Sequence, residues 1–163
     1  MNLQPPAFLQ NHLKKLPEFV LKPAVLVPYA VQQQLLQVAL NDLFKDHLRD
    51  GELDFLAGRY LAVSVDDLDL GWTLTLIRGH LSVVARDSLA DVSIRARARD
   101  LLLLASRQED PDTLFFQRRL VIEGDTELGL RVKNIMDSVD WEAMPRPVRS
   151  LLERGAAYIQ RFG

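Results

Sequence analysis

Arginine side chains gather on two stretches of the sequence that alternate between apolar and polar residues, and they are the first candidates for ligand binding. The group consists of Arg95, Arg97, Arg99, Arg118 and Arg119. If the two stretches are paired strands, Arg95, Arg97 and Arg119 share the solvent-facing side of the sheet. Arg118 would then point inward at the start of its strand, where a guanidinium can hold a phosphate or carboxylate headgroup. The alternative for the group is a solvated face balanced by Glu123 and nearby aspartates.

The other residues with catalytic or metal-binding side chains form no recognisable site. The histidines have no metal-ligand spacing: His12, His47 and His80. Three aspartates resemble a fragment of a calcium loop: Asp66, Asp67 and Asp69. They lack the bidentate glutamate of such a loop, so we interpret them as an acidic hairpin turn. No phosphate loop, dinucleotide-binding glycine pattern or nucleophile elbow is present, and we expect no catalytic residue, cofactor or metal.

Composition narrows the class of protein. A chain of 163 residues with 48% hydrophobic and 26% charged residues is typical of one soluble domain. The net charge of -2 gives no electrostatic reason to expect nucleic acid, because phosphate binding depends on clustered excess Lys and Arg. The absence of cysteine excludes disulfides and thiolate chemistry. Neither a signal peptide nor an apolar run of about 18 residues is evident, so we expect a cytoplasmic protein, with peripheral contact at the inner face of the membrane left open.

Five stretches of the chain have the period of two that is typical of half-buried strands. Their inward residues are Leu61, Val63 and Val65; Trp72, Leu74 and Leu76; Leu81, Val83 and Ala85; Val92, Ile94, Ala96 and Ala98; Leu120 and Ile122. Gly79 predicts a tight hairpin between the second and third stretches. The pattern predicts an α+β fold, in which a five-stranded, mainly antiparallel sheet is covered by helices on one face.

Stretches with apolar residues at helical spacing lie before, between and after these strands. A helix over residues 29–48 is expected to pack a stripe on the core, namely Val31, Leu35, Val38, Leu43 and Phe44. Four consecutive leucines at 101–104 indicate a helix that contacts apolar groups on more than one side. Asp125 or Thr126 can cap a helix whose stripe is Leu128, Val132, Ile135, Met136 and Val139. A last helix starts at Pro147.

The chain divides into residues 1–28, an apolar segment punctuated by prolines, and a single domain over residues 29–163. Proline limits helices in the first segment to short pieces. Lys14 and Lys15 lie beside its apolar residues, so the segment could contact a membrane surface or a partner protein. The alternative is that it packs over its own core.

Three runs of the sequence carry a family resemblance: DGELDFLAGRY (Asp50 to Tyr60), DLLLLASRQEDPDTLFFQRRLVIEGDTELGL (Asp100 to Leu130) and VKNIMD (Val132 to Asp137). With the predicted sheet, they resemble the sterol carrier protein 2 family, and within it the accessory factors of oxygen-independent ubiquinone biosynthesis in bacteria. The resemblance implies a non-enzymatic lipid carrier with an apolar tunnel between sheet and helices. It implies isoprenoid-quinone intermediates or phospholipid as ligands, and the anaerobic iron-sulfur hydroxylase pair and other ubiquinone-biosynthesis enzymes as partners. One departure is RARARD at Arg95 to Asp100, where related domains often carry glycine and acidic residues.

We expect the tunnel to have two walls. The sheet wall is formed by Leu61, Val63, Leu74, Leu76, Val83 and Ile94, and the facing wall by Leu101, Leu104, Phe115, Phe116, Leu128, Val132 and Met136. Each residue has an alternative interpretation as plain core, because core and lipid tunnel have the same composition. A scaffold that docks the hydroxylases without carrying lipid is a second hypothesis. An enzyme acting on lipid-linked substrates is a third, but it would need an acid and base pair that the sequence does not offer.

Overall fold

The computed structural model describes residues 27–85 and 89–143, together with residues 146, 150, 153, 154, 157 and 161. The predicted N-terminal segment and the helix predicted from Pro147 lie almost entirely outside the described residues. Among the described residues, no helix is both long enough and apolar enough to cross a bilayer.

The five predicted strands are confirmed as one sheet. They are β1 (Leu61–Val65), β2 (Leu70–Ile77), β3 (His80–Val84), β4 (Val92–Ala96) and β5 (Leu120–Gly124). The order across the sheet is β3-β2-β1-β4-β5. Every neighbouring pair is antiparallel except that of the central strand β1 with β4, which is parallel. The sheet is therefore mixed but mainly antiparallel, and the α+β class is confirmed.

The predicted hairpin joins β2 to β3. Arg78 and Gly79 both have positive φ angles, 51° and 76°. Two consecutive residues in this region form the type of turn whose twist matches that of the flanking strands. The hairpin fixes the register that places Leu74 beside Val83 and Leu76 beside Leu81, so the inward faces of both strands coincide.

Five helices have described bounds at both ends. They are α1 (Tyr29–Leu43), α2 (Lys45–Arg49), α3 (Ala98–Ala105), α4 (Pro111–Phe116) and α5 (Thr126–Ser138), with single 3-10 turns at Asp54–Leu56, Asp66–Leu68 and Trp141–Ala143. The predicted cap of α5 is Asp125, whose side chain accepts a hydrogen bond of 2.9 Å from the Leu128 amide. Asp110 caps α4 in the same way, and Pro111 follows it at the first helical position.

Amide side chains of α1 bind the edge strand β3. Gln33 donates to the Val83 carbonyl, and the Val83 amide donates to Gln37 Oε1 over 3.0 Å. Asn41 donates to the Leu81 carbonyl over 2.7 Å and accepts from the Leu81 amide over 3.0 Å. The three amides lie four residues apart, on one face of the helix. They satisfy backbone groups that an edge strand otherwise presents to solvent.

This arrangement overturns the predicted apolar stripe of α1. Val31, Leu35 and Val38 are 46%, 63% and 61% exposed. The face that carries the amides brings Leu36 and Leu40 against the core, and Phe44, which follows α1, packs there as predicted. The predicted stripe is therefore wrong at Val31, Leu35 and Val38, because hydrogen bonds to β3 fix the rotation of the helix.

Helix α3 contacts apolar groups on two sides, as its run of leucines predicted. Leu104 is part of the main core, and Leu101 packs against it. Leu103 is buried in a separate cluster with Leu102.

The sheet face opposite the core is not wholly solvated. Thr73 and Thr75 point to that face and are buried, and the Thr75 hydroxyl donates to the Leu56 carbonyl over 3.2 Å. The expectation of one solvated face is therefore wrong at these two positions.

Candidate functional site

An apolar cavity of about 260 Å³ lies between the sheet and the helices. Its lining residues are Leu40, Leu43, Phe44, Leu53, Phe55, Leu56, Leu61, Val63, Leu74, Leu81, Ile94, Leu101, Leu104, Val132, Ile135 and Met136. All of them are apolar side chains, so the lining offers no side-chain donor or acceptor to a ligand. Its volume exceeds the roughly 150 Å³ of an engineered apolar cavity that binds benzene. The cavity can therefore hold hydrocarbon, and burial of hydrocarbon is its only evident source of affinity.

The structure brings most of the predicted tunnel residues to this cavity. Those that line it are Leu61, Val63, Leu74, Ile94, Leu101, Leu104, Val132 and Met136. Leu76, Val83 and Leu128 are buried in the same core cluster without reaching the cavity surface. Among these residues, those of β1, β2 and β4 face those of α3 and α5 across the cavity.

Phe115 and Phe116 do not lie on the cavity wall. Phe116 is 80% exposed, and Phe115 is 40% exposed beside a separate recess that Ile122 and Leu130 also line. The preceding residue of α4, Leu114, is fully buried. Successive residues of a helix turn by about 100°, so a helix that buries Leu114 carries the next two residues away from the core.

Sequence reasoning missed the part of the cavity wall formed by residues 40–56. Leu40 lies one turn after Leu36 on the face of α1 that carries the amides, and this spacing could have identified it. Leu43 and Phe44 were predicted to pack on the core but not to form part of the tunnel wall. Leu53, Phe55 and Leu56 lie on a short turn that has no extended periodicity. The one sequence signal at this turn is that it lies within the run Asp50 to Tyr60, which carries the family resemblance.

The five arginines considered as headgroup ligands, Arg95, Arg97, Arg99, Arg118 and Arg119, do not line the cavity. Arg118 lies exposed in the turn between α4 and β5, with a φ angle of 58°, rather than pointing inward. Its turn is closed by a hydrogen bond of 3.0 Å from the Arg118 amide to the Phe115 carbonyl, and this geometry directs the residue outward. Arg95 lies 3.6 Å from Glu123, as expected for a balanced solvated face.

Arg119 is part of a local ion-pair network rather than of the solvated face. Its guanidinium binds the buried Asp100 carboxylate at the start of α3 and the Glu109 carboxylate at 2.7 Å. Burial acts to lower the pKa of Arg119, but the hydrogen bonds to Glu109 and Asp100 outweigh it and raise that pKa. The network therefore ties α3 to the start of β5.

Two of the remaining sequence candidates have hydrogen-bond or ion-pair partners, and His12 lies outside the described residues. Asp67 accepts a hydrogen bond of 2.8 Å from the amide of Ala98, the first residue of α3. His47 pairs with Glu52. Among the described residues, no three His, Asp or Glu side chains form a group that could hold a metal ion.

A polar recess of about 170 Å³ lies beside the apolar cavity, and Phe55 lines both. The other residues of this polar recess are Arg59, Asp125, Glu127, Leu128 and Arg131. Arg59 Nη2 donates to Asp125 Oδ2 over 2.7 Å, and Arg131 Nη2 donates to Glu127 Oε1 over 2.9 Å. The guanidinium carbon of Arg131 lies 5.8 Å from the centre of the Phe55 ring.

The carboxylate of Asp125 is held in its charged form. Hydrogen bonds from the Leu128 amide and then from Arg59 lower the pKa of Asp125. The hydrogen bond to Asp125 likewise raises the pKa of Arg59. The polar recess is therefore a charged site at neutral pH, in contrast with the neighbouring cavity.

Comparisons with known proteins agree with this geometry. Residues 38–137 match the profile of the "SCP-2 sterol transfer family". The chain is 49% identical over 144 residues to "Ubiquinone biosynthesis accessory factor UbiT" of Escherichia coli (strain K12), covering 88% of this chain and 82% of that protein. The protein of the same name from Escherichia coli O157:H7 gives the same values. The solved structure "UbiJ-SCP2 Ubiquinone synthesis protein" has a TM-score of 0.56 and 21% identity, covering 73% of this chain and 98% of that chain, which shows the fold alone.

Proposed function

Because the chain belongs to the SCP-2 sterol transfer family, we propose that it is an accessory factor of ubiquinone biosynthesis that carries a lipid in its apolar cavity. The ligands are isoprenoid-quinone intermediates or phospholipid, and the protein presents them to the enzymes that modify the quinone ring. It performs no chemistry of its own. The cavity of about 260 Å³ between sheet and helices is the observation that carries this proposal.

Similarity to UbiT supports the pathway assignment. The identity of 49% extends over 88% of the chain, so it includes the elements that line the cavity. We propose that the protein acts in the oxygen-independent branch of the pathway, in the cytoplasm near the inner face of the membrane. Its partners there are the iron-sulfur hydroxylase pair and other ubiquinone-biosynthesis enzymes.

The physical need for a carrier arises from the prenyl tail. Transfer of each methylene-sized unit out of water is favourable by about 0.8 kcal/mol, so release of an intermediate with a long tail into water is strongly unfavourable. A protein that buries part of the tail lowers this cost and leaves the ring available to soluble enzymes.

Native mass spectrometry of the purified protein, followed by solvent extraction, tests the proposal. We expect about one quinone intermediate or phospholipid per chain. A protein that carries no lipid and does not bind an added prenylated quinone would contradict the carrier function.

A second candidate function is an interaction scaffold that docks the hydroxylases without carrying lipid. The exposed apolar side chains of Val31, Leu35 and Val38 on α1 favour it, because exposed apolar patches often mark protein interaction sites. The variant Leu35→Asp/Val38→Asp separates the two functions. For a carrier, the variant retains its lipid; for a scaffold, it loses co-purification with the hydroxylases whether or not lipid is present.

A further inference from the structure

We propose that β5 is a dimer interface, at which two copies of this chain pair their edge strands into one continuous sheet. β5 and β3 are the two edges of the sheet. The inference does not depend on the carrier function, because the residues that carry it, Phe116, Ile122 and Leu130, do not line the apolar cavity.

The free edge of β5 presents backbone hydrogen-bonding groups. At the end of the strand, the Asp125 amide donates to the Asp91 carbonyl over 2.9 Å. Hydrogen-bonded and non-bonded pairs alternate along an antiparallel ladder, so the odd-numbered residues of β5 bond to β4. The residues whose amides and carbonyls point away from the sheet are therefore Leu120, Ile122 and Gly124. Within the described part of the chain nothing bonds to these groups, whereas amide side chains of α1 bind the backbone of β3.

A two-fold axis at Ile122 allows a second copy to bond to all of these groups. In this antiparallel register, Ile122 lies opposite Ile122 of the other copy, and Leu120 lies opposite Gly124 of the other copy. Each pair can exchange both of its N–H···O bonds, as in an ordinary antiparallel sheet. The same patch is used on both copies, so the contact closes as a dimer and leaves neither β5 edge open.

The charges along β5 favour this register. Arg118 and Arg119 precede the strand, and Glu123 and Asp125 lie at its other end. Antiparallel pairing centred on Ile122 brings the basic start of one strand beside the acidic end of the other. A register shifted toward the C-terminus would instead place Glu123 opposite Asp125 of the other copy, and like charges directly opposite each other are destabilising.

Exposed apolar side chains surround the same edge. Phe116 and Leu130 are 80% and 55% exposed. Leu130, Phe115 and Ile122 line the recess of about 210 Å³ beside β5. Residues opposite each other in a sheet share one face, so Ile122 of the second copy lies next to this recess. Dimer formation therefore removes from water an apolar patch that the isolated chain exposes.

Disulfide cross-linking tests the register, because the chain contains no cysteine of its own. The Cα atoms of a hydrogen-bonded antiparallel pair lie about 5.5 Å apart, within the range of a disulfide. We expect Ile122→Cys to form a covalent dimer in most chains on mild oxidation. Glu123→Cys is the matched control, since this more exposed residue is offset from its copy by about 7–8 Å and should cross-link at least fivefold more slowly.

Sedimentation equilibrium of the full-length protein tests the apolar patch. We expect a dimer at micromolar concentration, and Phe116→Asp/Leu130→Asp should raise its dissociation constant at least tenfold. The control Leu35→Asp/Val38→Asp adds the same charge at apolar residues of α1 that are 63% and 61% exposed, and should change the constant less than twofold. All four side chains are exposed, so circular dichroism should show that both variants fold.

The outcomes separate this inference from the carrier function. A protein that is monomeric at every concentration overturns the dimer, and the β5 edge would then be free for a strand of another protein. Equal cross-linking of the two cysteine variants, or equal weakening by the α1 control, also overturns it, because the copies then meet elsewhere. None of these results changes whether lipid is extracted from the protein, and a dimer without lipid would contradict the carrier function alone.

Discussion

Filling the apolar cavity should make the delipidated protein more stable while it abolishes lipid binding. The double variant Val63→Phe/Val132→Phe introduces rings from the sheet and from α5, both of which line the cavity. An unfilled volume of about 260 Å³ corresponds to roughly 6 kcal/mol of lost packing, at about 24 cal/mol per Å³. Filling half of it recovers about 3 kcal/mol, and adjustment of the surrounding side chains costs about 1–3 kcal/mol. We expect a net gain of about 0–2 kcal/mol.

Urea unfolding and native mass spectrometry measure the two quantities. The protein must be delipidated first, because a ligand that binds only the native state adds its own stabilisation. We expect at least a tenfold loss of lipid occupancy. Val92→Phe is the matched control, since Val92 is 1% exposed and does not line the cavity, so the same ring should cost about 1–3 kcal/mol. A double variant that is destabilised as much as the control and still carries lipid would refute the reasoning.

Three further predictions concern the framework of the cavity. Asp125→Ala should lower the free energy of unfolding at pH 7, because it removes the side-chain cap of α5. The Leu128 amide and Arg59 lower the pKa of Asp125 in the folded state, so this difference should shrink as the pH falls below about 4, which urea unfolding at pH 7 and at pH 3 measures. Arg119→Met leaves the buried Asp100 carboxylate without its guanidinium partner and should cost about 3 kcal/mol in urea unfolding, whereas adding Asp100→Leu should recover most of this loss. Gln37→Leu leaves the Val83 amide unbonded and should speed its hydrogen exchange at least tenfold, while the isosteric Gln37→Glu retains an acceptor and should not.

The strands could be predicted from the sequence because their alternation reports burial directly. Leu61, Leu74 and Ile94 lie on the inward face as expected, and all three line the cavity. The direction of a strand relative to its neighbour does not change this alternation, so it could not be predicted in the same way. The parallel pairing of β1 with β4 depends on the path of the chain, not on the residues that alternate.

The orientation of α1 could not be predicted from hydrophobicity. Val31, Leu35 and Val38 have helical spacing, yet they face outward. Hydrogen bonds between β3 and the side chains of Gln33, Gln37 and Asn41 fix this orientation. A pattern of apolar residues cannot show that side chains on the polar face of a helix will form hydrogen bonds with the backbone of a neighbouring strand. The same limit applies to Arg118, whose exposure follows from a turn with positive φ.

The amide side chains of α1 also protect the protein against aggregation through its edge strand β3. A bare edge strand is a template on which another chain can polymerise, and three amides cover part of this edge by binding the backbone of β3. Detachment of α1 alone would uncover the template while the rest of the sheet stays folded. Aggregation on heating should therefore follow the local opening of one helix rather than the melting of the whole domain.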